Sequence, residues 1–423
     1  MQAYTKPGIS TSLYSPRNLR PDGEYAEDLI YLCHTIIIGR VYDPRYDKGK
    51  NGGFVPLKGE YMQNILGHRQ WPVVRRIALG RGVVLCDESY SVGRCSKGYA
   101  LCEPYASAPW ELREIHDPRL SQRIDEWRAQ RRLEHWSEIR DGNRRVSPEV
   151  CEHLHGHLQR IRIDKHIPDA LTNESAVAVD MIRRGQWRFD VDDFGRVHTN
   201  ITNLKRSLRA HLSVDDMRLV NCDIANSQPL FIGIMLQQTG GKGQVGDKRQ
   251  GEGGETGSKR SKEEGPTICW ARCGKIGKMG ADLLRYVQLC AEGRLYRHIE
   301  ARLDGHMDYA VLKHRVLATL YDRDSHRNAI YRVLDKDFPT VMQGIRAIKR
   351  PNYRHLAHLA QRTESGFIFG RVVSRLAEEH PGLFVTTIHD SIMTTAGDED
   401  TVRSIMLDEF EKLNIRATVR VES

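Results

Sequence analysis

The chain has 423 residues, 39% of them hydrophobic and 28% charged, with an excess of 64 − 55 = 9 Lys and Arg over Asp and Glu. That balance belongs to a globular protein and excludes a wholly disordered or fibrous chain. Its longest apolar run, Leu29 to Gly39, is interrupted by His34 and is far short of the ~20 residues of a membrane helix, so no membrane association is expected.

The amino terminus, MQAYTKPGIS, lacks the charged-then-apolar pattern of a secretory signal, and the nine cysteines are odd in number and widely spaced. A reduced, cytoplasmic setting is expected rather than a disulfide framework. The first 110 residues suggest a small module. Tyr25–Val41 reads as a helix, Gly59–Leu66 as a short helix, and Gln70–Leu79 as a second helix beyond a turn at Gly67. Two strands follow, Val83–Asp87 and Lys97–Cys102, joined by a loop carrying Arg94. Helix, turn, helix and basic ribbon outline either a winged helix, whose second helix enters a DNA groove, or a packing module with no DNA contact. Residues 111–188 read as helical, thumb-like or connecting, with alternating charge along Leu120–Arg140 marking a solvated face.

Asp192–His198 reads as a turn entering a strand, and Leu219–Ile224 as a strand ending in an acid. Thr239–Gly265 holds nine glycines in 27 residues and one large apolar side chain, Val245. Such a stretch buries too little surface to order itself and reads as a flexible insertion. Tyr286–Leu303, Tyr309–Tyr321 and Gly366–Glu379 read as helices, and Phe384–Ile388 and Ser391–Thr395 as paired strands. A helix over Glu399–Lys412 and a strand over Ala417–Val421 follow. Acid-tipped strands with helices between them predict an α+β catalytic domain.

Asp223 closes LVNCD, and Asp390 follows VTTIH. Each alone reads as a turn former or cap; together they suit phosphoryl transfer, in which two carboxylates hold two divalent ions ~4 Å apart. Mg²⁺ fits such a pair, with Mn²⁺ as a substitute. Lys313, Leu317 and Tyr321 recur every four residues and share one helix face, placing a cation for a triphosphate and a ring for a base on one line. An ordinary amphipathic helix has the same spacing. Cys151, His153, His155 and His157 fall on a helical stretch that scatters them around its axis, and Cys269 and Cys273 have no second pair, so no zinc site is expected. Cys222 reads as a small buried hydrophobe.

The order of these pieces resembles the palm and fingers of the family A DNA polymerases and the related single-subunit, phage-type RNA polymerases, over roughly residues 189–423. Asp223 in CDIANSQP resembles the first catalytic motif, and Asp390 in TIHDSI the last. Lys313, Leu317 and Tyr321 resemble the fingers helix, and DDFGRVH with Arg196 the D-x-x-G-R-V segment of the phage-type enzymes. Gln361 in AQRTES resembles the glutamine that reads the primer–template minor groove.

The resemblance implies an α+β, right-hand polymerase palm with helical fingers, acting as a template-directed nucleotidyltransferase. Asp223, Asp390 and the Ile224 carbonyl would hold two Mg²⁺ ions, Lys313 would neutralise the nucleoside triphosphate, and Tyr321 would position it. His389 would orient its loop or contact a primer end, unless it is a hydrogen-bonded core histidine. Lys205, Arg206 and Arg209 would track the phosphates of a nucleic-acid template, expected to be DNA, unless they are a solvated face. The chain departs from the pattern at several points. Tyr309 stands where the family has an arginine, leaving the triphosphate to Lys313 with Arg196 or Arg315. Asp322 replaces a glycine, and Ser391 replaces the acid that DNA polymerases place after His-Asp. Gln228 replaces the glutamate that blocks a ribose 2′-OH. Arg196, Ser391 and Gln228 lean toward ribonucleotides, as in an RNA polymerase or primase. The rival expectation is a phage or plasmid winged-helix DNA-binding protein whose palm-like half is inactive.

Overall fold

The computed structural model describes residues 11–46, 53–87, 96–167, 171–241, 280–303, 305–323 and 327–422. The glycine-rich insertion beyond residue 241, Arg94, Cys269 and Cys273 lie outside them. The protein mixes helix and sheet, 54% and 15% of the described residues respectively, and divides into two compact units, each assembled from three stretches of chain. No helix among the described residues is long and apolar enough to cross a membrane.

The first unit comprises residues 1–143, 155–190 and 198–219. Strand β1 (Ser12–Pro16) is followed by helix α1 (Ala26–Tyr42). Helix α1 is apolar nearly all round and buries Leu29, Leu32, Cys33, Ile36 and Ile37, as a central helix must. His34, the polar break in that run, accepts a hydrogen bond from the Tyr14 amide at 3.0 Å, and burial pushes its pKa down to about 3. It is a neutral core residue. Next come β2 (Val55–Pro56), α2 (Gly59–Leu66), α3 (Gln70–Gly80), β3 (Val84–Asp87) and β4 (Gly98–Leu101). β4 lies between β2 and β3 in an antiparallel three-stranded sheet. β5 (Trp110–Glu114) returns to pair with β1. Helix α4 (Pro118–Arg140) starts where the Asp117 carboxylate accepts from the amides of Arg119 and Leu120. It buries only Leu120, Ile124 and Ile139, as its alternating charge predicted.

Helix α5 (Pro148–Leu158) carries Cys151, His153, His155 and His157, and β6 (Ile161–Ile163) follows. Helix α6 (Asn173–Arg183) is capped by Thr172. β7 (Phe189–Val191) and β8 (Val197–Thr199) form a two-stranded hairpin. After the short α7 (Arg206–Arg209), β9 (Leu212–Val214) pairs with β6 and with the first residues of β10 (Met217–Ile224).

The second unit comprises residues 144–154, 191–197 and 220–423. Its central helix, α8 (Ser227–Gly241), buries Leu230, Phe231, Ile232 and Ile234. Gly233 lets the next helix approach closely, since a Cβ there would lie 2.6 Å from Val287. The stretch Tyr286–Leu303, expected as one helix, is two, α9 (Ala281–Ala291) and α10 (Leu295–Glu300), parted by Gly293 at φ +70. An L side chain avoids that left-handed backbone, so the helix ends there. α11 (Tyr309–Tyr321) matches its expected limits. α12 (Ala329–Asp337), α13 (Pro339–Lys349) and α14 (Arg354–Phe367) follow. The helix expected from Gly366 therefore begins at Arg354, and it runs through one wide π-helical turn, Ile368–Val373, into α15 (Ser374–Glu379). β11 (Thr386–Ile388) and β12 (Ser391–Thr395) form a hairpin, and α16 (Glu399–Glu411) and β13 (Val419–Glu422) complete the unit. β10 is bordered by β12 and paired with β13, so the hairpin and the closing strand meet at the strand that carries Asp223. Phe231, Phe367 and Phe410 pack behind them, the last two stacked 4.1 Å apart.

Candidate active site

The register of β10 against β13 sets Asp223 opposite Arg420 and Asn221 opposite Glu422. Alternate residues of a strand share a face, so these four side chains stand on one side of the sheet. Asp390 occupies the two-residue turn between β11 and β12, closed by the Ile388–Ser391 pair. Such tight turns demand a positive φ, and His389 supplies it at +54. Ser391 Oγ donates to the Ile388 carbonyl at 3.0 Å. Ser391 therefore braces the hairpin.

Sheet order thus brings together the charges of two aspartates 390 − 223 = 167 positions apart. Burial, and then the negative charges of Asp390 and Glu422, push the Asp223 pKa up to about 6, against the opposing pull of Lys313 and Arg420. A carboxylate in that field has surplus negative potential for a cation to relieve. The donors are oxygens only, and Mg²⁺ or Mn²⁺ takes one or two protein carboxylates together with substrate phosphates. Among the described residues no three His, Cys, Asp or Glu side chains converge on one point; the carboxylates of Asp223 and Asp390 are the groups here that could hold such a cation. Ile224 is buried and pairs with Val419 at the end of the same strand.

A second group of side chains forms a continuous hydrogen-bonded chain. In the turn between β7 and β8, the Asp192 carboxylate accepts from the amides of Phe194 and Arg196, both at 2.9 Å. Gly195 adopts φ +82, and a Cβ there would lie 3.0 Å from Arg145 and 3.4 Å from Ser365. The D-x-x-G-R spacing is therefore a requirement of the turn: an acid to gather amides, a glycine to turn tightly, and an arginine aimed inward. Arg196 donates from Nη2 and Nε to Glu364 Oε1 at 2.6 and 3.1 Å. Gln228 Nε2 donates to Glu364 Oε2 at 3.1 Å, and the Tyr321 hydroxyl donates to Gln228 Oε1 at 2.7 Å. Glu364 is 1% exposed. Burial, partly offset by Arg196, lifts its pKa to about 7. Burial likewise raises the Tyr321 phenol above its ordinary range.

Tyr321 ends α11, which begins where Asp308 caps the amides of Ala310 and Val311. Leu312, Val316 and Leu320 form its buried face, while Lys313 and Arg315 are exposed. The Lys313 charge reaches Asp223. Tyr309 is 51% exposed and meets Tyr296 edge-on at 5.8 Å. The Asp322 carbonyl accepts from the buried Lys349 ammonium at 2.7 Å, which secures the end of the helix.

Gln361 lies one turn before Glu364 on α14 and is half-buried, and His389 is exposed at its hairpin tip. Lys205, Arg206 and Arg209 belong to the first unit. Arg209 donates to the carbonyls of Leu204 and Thr202, and Lys205 to Thr172 Oγ1. Cys222 is buried, with its thiol pushed up to about 11. Three residues of this region escape sequence reasoning: Glu364, Arg420 and Glu422. A glutamate inside a helix reads as a surface residue, and the latter two matter only through strand register. An available signal was the alternation in VRVE, which puts Arg420 and Glu422 on one face.

No protein family model matches the chain, and no curated protein matches it. Among solved structures it is similar to the POL domain of Pol1 from M. smegmatis, in complex with DNA primer-template and dNTP, at 11% identity over 58% of this chain, with a TM-score of 0.26. The match spans half of that chain's length. A TM-score of 0.26 does not establish a shared fold.

Proposed function

We propose that this chain is a template-directed nucleotidyltransferase, joining nucleotides on a nucleic-acid template, with a lean toward ribonucleotides. The observation that carries the reading is the convergence of Asp223 and Asp390 at one end of the β10 sheet, with the Lys313 cation in range of the first acid. Asp223, Asp390 and the Ile224 carbonyl would hold two Mg²⁺ ions, which when bound activate the attacking 3′-hydroxyl and support the leaving pyrophosphate. Lys313 neutralises the triphosphate. Tyr321, tied through Gln228 to the buried Glu364, gives the incoming nucleotide a fixed floor. Gln228 is neutral and already engaged by Tyr321 and Glu364, which supports acceptance of a ribose 2′-hydroxyl at that point. Arg196 is committed to Glu364 and acts as a positioning residue, leaving Lys313 as the triphosphate cation.

The test is extension of a primed DNA template, with an unprimed control, supplied with NTPs or dNTPs separately and with Mg²⁺ or Mn²⁺. Metal-dependent incorporation is expected. It should fall about a thousandfold in Asp223→Ala and in Asp390→Ala, the several kcal/mol that such electrostatic stabilisation supplies. Incorporation that survives both substitutions would sink the reading.

A further inference from the structure

The first unit contains a helix–turn–helix followed by a ribbon, and its surface chemistry is uneven. α2 and α3 are joined across Gly67, at φ +102, and α3 leads directly into the antiparallel β2–β4–β3 sheet. α3 packs inward through Trp71, Val74 and Ala78, with Trp71 edge-on to Tyr99 at 5.9 Å. Arg75 donates to the Tyr99 hydroxyl at 2.8 Å on the same side. The opposite face presents Arg69, Pro72, Arg76 and Gly80, all exposed and recurring at helical spacing. No carboxylate occurs anywhere from Tyr61 to Cys86. Arg69 and Arg76 have no hydrogen-bond or ion-pair partner among the described residues, whereas neighbouring Arg81 is paired with Asp22 at 2.5 Å.

We infer that α3 is the recognition helix of a duplex-DNA binding site, its Arg69–Pro72–Arg76 face laid in the major groove. The arginines match backbone phosphates along the groove, and Pro72 between them, with Gly80 beyond, permits close approach. A helix ~10–12 Å across fits the ~12 Å major groove of B-form DNA. Trp71 on α3 and Tyr99 on β4 are turned into the core, so among the described residues the α3 face offers no platform for stacking unpaired bases. An A-form RNA duplex has a major groove too narrow for the helix. The site is independent of the Asp223–Asp390 pair.

The test measures the full chain binding a labelled blunt-ended DNA duplex across a salt series, beside Arg69→Ala/Arg76→Ala, Arg69→Lys/Arg76→Lys and Pro72→Glu. Loss of at least about tenfold in affinity in the alanine pair is expected, with a salt slope shallower by about 2, the counterions of two lost phosphate contacts. The lysine pair should restore most of both, and Pro72→Glu should weaken binding without touching a buried residue. Unchanged affinity or slope in the alanine pair, no binding by the parent, or equal binding to duplex RNA would each overturn the inference. Nucleotide incorporation by the same variants reads the second unit separately.

Discussion

Asp223 is held at a proton affinity its neighbours dictate. Its pKa in the folded chain, about 6, exceeds the ordinary 3.8, so folding favours the protonated form. The stability this lends is fully present below pH ~4 and is lost as pH rises through 6. Asp223→Asn should therefore make the metal-free protein more stable at pH 7, by roughly 1 kcal/mol after allowing for the carboxylate's partial contact with solvent. Urea unfolding at pH 4 and pH 7 checks this, and the gain should vanish at the lower pH. In the same terms, incorporation should fall on the acid side near pH 6, and raising Mg²⁺ should move that limb lower as cation and proton compete for one carboxylate. A limb indifferent to Mg²⁺ would detach Asp223 from the metal.

Between helices and strands, Gly293 does more than end α9. Its built Cβ would lie 3.0 Å from Arg420 Nη2 and 3.2 Å from the Ala225 Cβ. The arginine tip can swing away; the alanine, fixed to the backbone two residues after Asp223, cannot. Gly293→Ala combines that crowding with a left-handed φ and is expected to cost about 1–2 kcal/mol, read as a lower urea midpoint at unchanged slope. The same position shows where sequence reasoning stops. Helix α11 was legible to its end residues because an Asp308 cap and a four-residue repeat are local signals. The break at Gly293 was passed over, although a glycine is itself a local stop signal, because the apolar spacing runs on through Leu295 and Ile299.

At the scale of the molecule, mixed helix and sheet was legible, with α1 to α4, α11, α16 and the β11–β12 hairpin, since periodicity and turn residues write these into the chain, whereas α8, α12 and α13 were not read. The division into units was not: each unit is stitched from three separated stretches, and no shift in composition marks the crossings at residues 143, 190 and 219. The places of Asp223, Asp390, Lys313 and Tyr321 in their elements were legible because each sits at an element's end or on a repeating helical face. Glu364 was hidden because its burial exists only once Arg196 and Gln228 converge on it from distant segments. Binding of Mg²⁺ with a nucleoside triphosphate to so dispersed a site should stabilise the second unit, by about 2.7 kcal/mol at a hundredfold excess over Kd. A rise in Tm with the pair of ligands, absent in Asp390→Ala, is the expected thermal-shift result.

The two oxygens of Glu364 are spoken for, one by Arg196 and one by Gln228, and this constrains how the chain can change by descent. A lineage that exchanged Gln228 for an acid would set two carboxylates in one dry pocket, so position 228 is not free to drift while Glu364 stands. Gln228→Glu and Glu364→Gln should each destabilise the protein alone, and the pair should recover about 1–3 kcal/mol of the summed loss in a double-mutant cycle. Positions 228 and 364 are therefore expected to change together, since a change at either one leaves a buried hydrogen-bonding group of the other without its partner.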